Sequence, residues 1–171
     1  MTDAILTQAQ LRELFIYDPN TGNFFARKTR GRFCATESVG TISQTGYCHI
    51  HINRKKYFAH RLAWLYMIGE FPAQQIDHKN GIRHDNRWFN LRLATNSQNG
   101  QNRGRQRNNT SGYKGVTWSK KAQKWQAQIC HNNRRIYIGL FTKPQEAHMA
   151  YIEKSKELHT HNDRVMNMSL E

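Results

Sequence analysis

Hydrophobic positions along this chain fall into short runs whose period changes several times, and each change marks an element. Between residues 4 and 16, Leu11, Leu14 and Phe15 have a brief helical spacing. Tyr17-Asp-Pro-Asn-Thr-Gly-Asn-Phe-Phe then sets Asp-Pro and Thr-Gly between apolar residues, a β-turn signature. Residues 47–58 alternate, with Ile50 and Ile52 to one side and His49 and His51 to the other, and Asn53-Arg54-Lys55 reads as a hairpin tip. Residues 17–58 are therefore expected to form a small antiparallel sheet with His49 and His51 on its exposed face.

His60 to Ile68 is apolar nearly all round and is followed by Gly69, which predicts a buried helix with a glycine stop. Phe71-Pro72 turns the chain into a short strand, Gln75-Ile76-Asp77-His78. Asn90 opens a second short strand over Leu91 to Thr95, and a polar helix is expected from Asn96 to about Arg103. Residues 100–112 carry no apolar side chain and read as a linker or extended arm, with Arg103, Arg105 and Arg107 alternating along it. Such an arm is either a solvated spacer or a strap that follows phosphates.

Beyond the linker the spacing predicts strands over 113–118, 124–130 and 134–141. Thr142 with Gln145 three residues on makes a capping box, and Pro144 sits in the first turn of a helix reaching about His159. Ala147, Ala150, Tyr151, Lys154 and Leu158 share its inner face. Trp125, Ala127 and Ile129 face inward with Ile136 and Ile138, while Gln126, Gln128, Cys130, Arg135 and Tyr137 face outward. Trp118 and Trp125 are expected in the core. The sequence has no internal repeat, and the last dozen residues read as a loose tail. The expected fold class is α+β: an N-terminal small sheet and helix, a β-hairpin with a helix, then a three-stranded antiparallel sheet packed on one helix.

Composition adds a partner. The chain of 171 residues has 26 Lys and Arg against 12 Asp and Glu, a net charge of +14 that attracts polyanions. The basic residues are spread through strands and loops rather than along one amphipathic helix, which favours nucleic acid over an anionic membrane surface. A mean hydropathy of −0.85 leaves too little apolar material for one large core and suits small modules. Cys34, Cys48 and Cys130 are an odd, scattered set without a C-x-x-C pair. They signal neither a zinc ribbon nor a disulfide framework, and a reducing, cytoplasmic setting is expected. The first residues lack the basic start and apolar run of a signal peptide, and Leu62 to Ile68 is too short to span a bilayer. The Asn-x-Ser/Thr matches at Asn108 and Asn109 are then chance.

Chemistry concentrates in residues 76–102. Asp77 and His78 end a strand, Asn90 follows twelve residues after His78, and Asn99 follows nine later. A β-hairpin folded on the next helix would bring Asp77 and Asn99 together as hard oxygen donors for one Mg²⁺-like cation. His78, on the other side of the strand, would be free to take a proton from water. Asn102, one turn beyond Asn99, competes with it as a ligand. Arg83, Arg87 and Arg92 are close enough in sequence to meet a phosphate. Asn80-Gly81 reads as turn chemistry, Asn86 and Asn96 as caps or turn residues, His84 as a loop residue and His60 as structural.

Ile76-Asp-His-Lys-Asn-Gly81, then Asn86-Arg-Trp-Phe-Asn-Leu-Arg-Leu-Ala-Thr95, then Asn96-Ser-Gln-Asn-Gly-Gln-Asn102 resembles the HNH motif of homing-type endonucleases, the ββα-metal fold. Tyr57 to Pro72 resembles the helix that precedes this motif in phage and intron-borne members. The resemblance implies Asp77 and Asn99 as metal ligands, His78 as general base, and Asn90 as the residue bracing the metal-binding loop. Mg²⁺, or Mn²⁺, is the implied cation, weakly held because only one ligand is charged.

Tyr113-Lys-Gly-Val116, Lys124-Trp-x-Ala-x-Ile129, Ile136-Tyr-Ile-Gly-x-Phe141 and Glu146-Ala147 resemble the DNA-binding domain of plant Apetala-two and ethylene-response-factor proteins. That implies Lys114, Thr117, Gln128, Arg135 and Tyr137 as DNA contacts. Thr117, Gln128 and Tyr137 stand where the plant proteins usually have Arg, Glu and Trp, so the plant target sequence does not transfer. The expected organisation is 1–58 helix and β-meander, 59–103 nuclease core, 104–112 basic linker, 113–160 DNA-binding module and 161–171 tail. The expected activity is metal-dependent hydrolysis of double-stranded DNA by one active site per chain, with a homodimer as one route to a double-strand break. A DNA-binding regulator with an inactive nuclease core is the alternative. An RNA-binding protein lacks the aromatic motif it would need.

Overall fold

The computed structural model describes residues 6–27, 37–106, 108–132 and 134–163. The chain divides into two compact units, Met1–Leu93 and Ala94–Glu171. The fold is α+β, with small antiparallel sheets throughout and a C-terminal three-stranded sheet packed on a helix.

The first unit opens with α1 (Gln8–Leu14). Thr7 and Gln10 cap it reciprocally, and Leu11 is its buried residue. β1 (Phe15–Tyr17) and β2 (Phe24–Ala26) form the hairpin expected around Asp-Pro and Thr-Gly, with Tyr17 opposite Phe24. β3 (Ser38–Val39) adds to β2. β4 (Thr41–Ile42), β5 (Cys48–Ile52) and β6 (Lys55–Phe58) make a second sheet. The meander expected as one sheet is thus two. The β5–β6 tip is Asn53-Arg54, both with positive φ, as a two-residue hairpin matched to strand twist requires.

His49 departs from the exposed face expected of it. It is buried, with its ring 4.5 Å from Phe58, which stands opposite it across the hairpin. His51 is exposed. α2 (Ala59–Ile68) ends at Gly69 in the left-handed region. It turns Ala59, His60, Leu62, Ala63 and Leu65 into the core, where they join Leu11, Phe24, Ile50, Ile52, Ile76 and Leu91. Burying a leucine such as Leu62 contributes about 1.5–3 kcal/mol. β7 (Gln75–His78) pairs with β8 (Leu91–Ala94) at the boundary between the units. Asn90 does not open β8; it closes a 3₁₀ turn, Trp88–Asn90.

The second unit begins with α3 (Asn96–Gln101), capped reciprocally by Thr95 and Gln98. β9 (Val116–Ser119), β10 (Lys124–His131) and β11 (Arg134–Phe141) form a sheet with β10 central, covered by α4 (Pro144–Leu158). Ile129, Ile136, Ile138, Tyr151 and Ile152 make one apolar cluster, and Val116, Ala127, Ala147 and Phe141 another. A Cβ on Gly115, at φ +78°, would lie 2.1 Å from the Tyr151 ring, so only glycine lets this turn reach the helix.

Four details differ from expectation. The N-cap of α4 is Lys143 rather than Thr142, with no side-chain cap bond; Thr142 Oγ1 instead donates to Glu146 at 3.3 Å. The buried face of α4 is Ala147, Tyr151, Ile152 and Ser155, rotated from the expected set. Trp118 is 43% exposed because its strand is the sheet edge, where it packs edge-on against Trp125 at 4.9 Å. The strand expected from residue 113 starts at Val116, after a tied turn: Asn109 donates to the Tyr113 carbonyl and Ser111 to that of Val116, each at 2.8 Å. Arg107, Cys34 and the tail from 164 lie outside the described residues.

Candidate active site and interaction face

Strand alternation would send Asp77 and His78 to opposite sides, yet both are buried together with Ile76, because β7 is covered on both faces. The Asp77 carboxylate accepts from Arg92, with Oδ2 3.0 Å from Nε and 2.9 Å from Nη2. This guanidinium occupies the position of a cation on a buried carboxylate. Among the described residues no three His, Cys, Asp or Glu side chains gather into a metal group. A cation here would rest on one carboxylate and neutral oxygens, a hard donor set that fits Mg²⁺ or Mn²⁺ rather than a softer metal.

His78 faces a wall of rings. His60 meets it edge-on at 5.1 Å, and Tyr47 lies 6.0 Å away. Its Nε2 is 3.4 Å from Asn86 Oδ1. Burial pushes the His78 imidazole below its ordinary value, opposed by the Asn86 bond and the charges of Asp77 and Asp85. Burial drives His60 further, down to about 3, with the His78 and Arg61 charges adding. Both imidazoles are therefore neutral at pH 7, the state in which His78 can accept a proton.

Asn90, fully buried, laces the loop after β7. Its Oδ1 accepts from Asn80 N at 3.0 Å, its Nδ2 donates to the Asp85 carbonyl at 2.8 Å, and its carbonyl accepts from Lys79 N at 2.9 Å. Asp85 is the second hub. It forms a bidentate pair with Arg87, Nε to Oδ1 at 2.7 Å, and accepts from Asn80 Nδ2 at 2.6 Å. The Arg87 bonds hold the Asp85 carboxyl below the usual range.

The β1–β2 turn buttresses this loop. Tyr17 donates its hydroxyl to the Asn86 carbonyl at 2.6 Å, and Trp88 N donates to Pro19 O at 2.9 Å. Gly22, at φ +77°, leaves a Cβ no room: it would meet Arg87 N at 2.4 Å and Asn86 C at 2.5 Å. Asn86, expected as a cap or turn residue, bonds back to the His84 carbonyl through Nδ2 at 3.2 Å and is also buried against His78. Sequence reasoning missed Asp85, Tyr17 and Tyr47. Nothing in the sequence singled these out, since their partners are up to 69 positions away.

Of the three arginines expected near a phosphate, Arg92 pairs with Asp77 and Arg87 with Asp85. Arg83 is exposed; it donates to the Thr45 carbonyl at 2.8 Å and lies 5.1 Å over the Tyr47 ring. In the second unit Asn99 is half-buried within α3, and Asn102 is buried at its C-cap. Arg103 and Arg105 are exposed, and Arg105 donates to Gly112 O at 3.0 Å.

The outer face of the second unit's sheet gathers four expected residues. Thr117 stands opposite Gln126, Gln128 opposite Tyr137, and Cys130 opposite Arg135. Tyr137, on the edge strand β11, is 59% exposed on this polar face. A bulge between Ala127 and Gln128 sets this register and brings Leu140 into the face opposite Gln126. Lys114 is not on it; its ammonium donates to the Gln101 carbonyl at 2.6 Å.

Comparison with known proteins matches two segments of the sequence to family models. Residues 57–101 match the HNH endonuclease family model, and residues 111–161 match that of the AP2 domain. The chain thus carries an HNH endonuclease domain followed by an AP2 domain. A stretch of 71 residues is 35% identical to Protein 3.8 of Escherichia phage T7, covering 41% of this chain and 59% of that protein. No solved structure matches the chain significantly. No helix among the described residues is long and apolar enough to cross a membrane.

Proposed function

We propose that this chain is an active, divalent-metal-dependent DNA endonuclease of the homing type, in which the HNH domain cuts and the AP2 domain holds the duplex. The observation that carries this reading is a buried, ring-walled His78 beside an Asp77 paired with Arg92, within a segment that matches the HNH model. In this reading His78 takes the proton of an attacking water. With Asn86 Oδ1 accepting from Nε2–H, the basic lone pair is on Nδ1. Asp77 and Asn99, with Asn102 as the rival to Asn99, hold the metal, and Asn90 keeps the loop shut. A bound Mg²⁺ or Mn²⁺ supplies Lewis-acid stabilisation of the charge that builds on the phosphate.

Arg83, Arg87 and Arg92, the basic stretch with Arg103, Arg105 and Arg107, and the face of Thr117, Gln128, Arg135 and Tyr137 contact the DNA; Lys114, whose ammonium bonds the Gln101 carbonyl, is left out of that set. The protein acts in the cytoplasm, of a host cell if a phage encodes it, and the nuclease core, linker and DNA-binding module divide as 59–103, 104–112 and 113–160. Each chain nicks one strand, and a homodimer would give a double-strand break.

The test is nicking of supercoiled plasmid by the full chain with Mg²⁺ or Mn²⁺. Wild type is expected to nick, and His78→Ala to lose on the order of 10²–10⁴-fold. Cleavage by His78→Ala at the wild-type rate, or no cleavage with any divalent cation, leaves instead a DNA-binding regulator with an inactive core.

A further inference from the structure

α3 poses a physical problem. Its sequence, Asn-Ser-Gln-Asn-Gly-Gln, contains no apolar side chain and has a glycine inside. Glycine costs about 1 kcal/mol relative to alanine in a helix. Six residues are also far below the length at which an isolated helix persists in water. Without an apolar face to bury, this helix must be anchored by polar bonds.

Several of those bonds fall on its last residue. Gln101 is only 8% exposed, an uncommon state for glutamine. Its Oε1 accepts from the backbone amides of Thr160 at 3.2 Å and His161 at 3.1 Å, just past the end of α4. Its carbonyl accepts the Lys114 ammonium at 2.6 Å. Lys114 is itself fixed from the other side, because its carbonyl receives His148 Nδ1 at 3.1 Å and the adjacent Gly115 abuts Tyr151. The chain after α4 is pinned in turn by Asn162, which donates to the Ser155 carbonyl at 3.0 Å. One side chain and one carbonyl of Gln101 thus tie α3 to both ends of the AP2 domain. The HNH match runs to residue 101, so the last helix of the cutting domain is built into the holding domain.

We propose that Gln101 is a positioning residue: it clamps α3 to the AP2 domain and thereby fixes Asn99, two residues earlier, for metal-assisted cleavage. The proposal rests on the nuclease reading above, and it makes Lys114 and the segment after α4 part of what holds α3.

The test uses the full chain as wild type, Gln101→Ala and Gln101→Glu, the last keeping an acceptor for the Thr160 and His161 amides. Hydrogen exchange of residues 97–102 is expected to quicken at least tenfold in Gln101→Ala, with β10, β11 and α4 as protected as in wild type. Plasmid nicking by Gln101→Ala is expected to lose at least tenfold in kcat with KM for DNA within twofold, and Gln101→Glu is expected to restore both readouts. Unchanged exchange in Gln101→Ala, a fall confined to KM, or a loss that Gln101→Glu does not restore overturns the clamp. If wild type does not nick, the nuclease reading fails by itself, and exchange alone then decides whether Gln101 anchors α3.

Discussion

His60 offers the most direct check on how the site is built. It is 7% exposed, stacked 5.2 Å from Phe58, tilted against Tyr47 at 5.4 Å, and edge-on to His78. Its folded pKa is about 3 against an ordinary 6.5. Between those values the unfolded chain binds a proton that the folded chain refuses, so acid favours unfolding. The contribution of neutral His60 is complete above pH 6.5 and falls as the pH drops towards 3. At pH 5 the loss from this group is 1.5 units at 1.36 kcal/mol each, or about 2 kcal/mol. His60→Phe removes the proton site while retaining a ring among rings. The assay is urea unfolding at pH 7 and pH 5, read by Trp64 and Trp88, with Trp118 and Trp125 replaced by Phe to silence the second unit. Wild type is expected to lose about 2 kcal/mol more than His60→Phe between the two pH values. Equal losses would show that His60 is solvated or charged in the folded state and that the ring wall around His78 is not as dry as described.

Two further outcomes follow from the same site. Arg92→Ala leaves the Asp77 carboxylate buried without its guanidinium, which should cost about 3–5 kcal/mol in chelator; Mg²⁺ should recover part of that in thermal unfolding, and a variant as stable as wild type in chelator would refute the pairing. Gly22→Ala forces a Cβ at positive φ into the Asn86 and Arg87 backbone, costing about 1–3 kcal/mol. It should also slow nicking without weakening DNA binding in a gel shift, because Asn86 moves relative to His78; unchanged stability and rate would show that the β1–β2 turn does not buttress the loop.

Local order determined much of this protein. The β1–β2 and β5–β6 hairpins, α2 with its glycine stop, the β7 and β8 strands and the inward face of β10 all follow from period, turn residues and caps within a few positions. The HNH and AP2 resemblances were likewise carried by short contiguous motifs. Tertiary structure decided what lies between such segments. His49 is buried because β6 sets Phe58 beside it, and Trp118 is exposed because β9 is an edge; neither fact is visible in strand alternation. Tyr17 reaches Asn86 across a long stretch of chain, Gly22 packs against the Asn86 and Arg87 backbone, and Asp85 bonds within its own loop; a polar loop residue looks the same in sequence whether it is solvated or buried. The clamp at Gln101 is the extreme case. A helix without apolar residues emits no hydrophobic pattern; the Gln101 side chain is held by amides some 60 positions away, and such bonds leave no period to read.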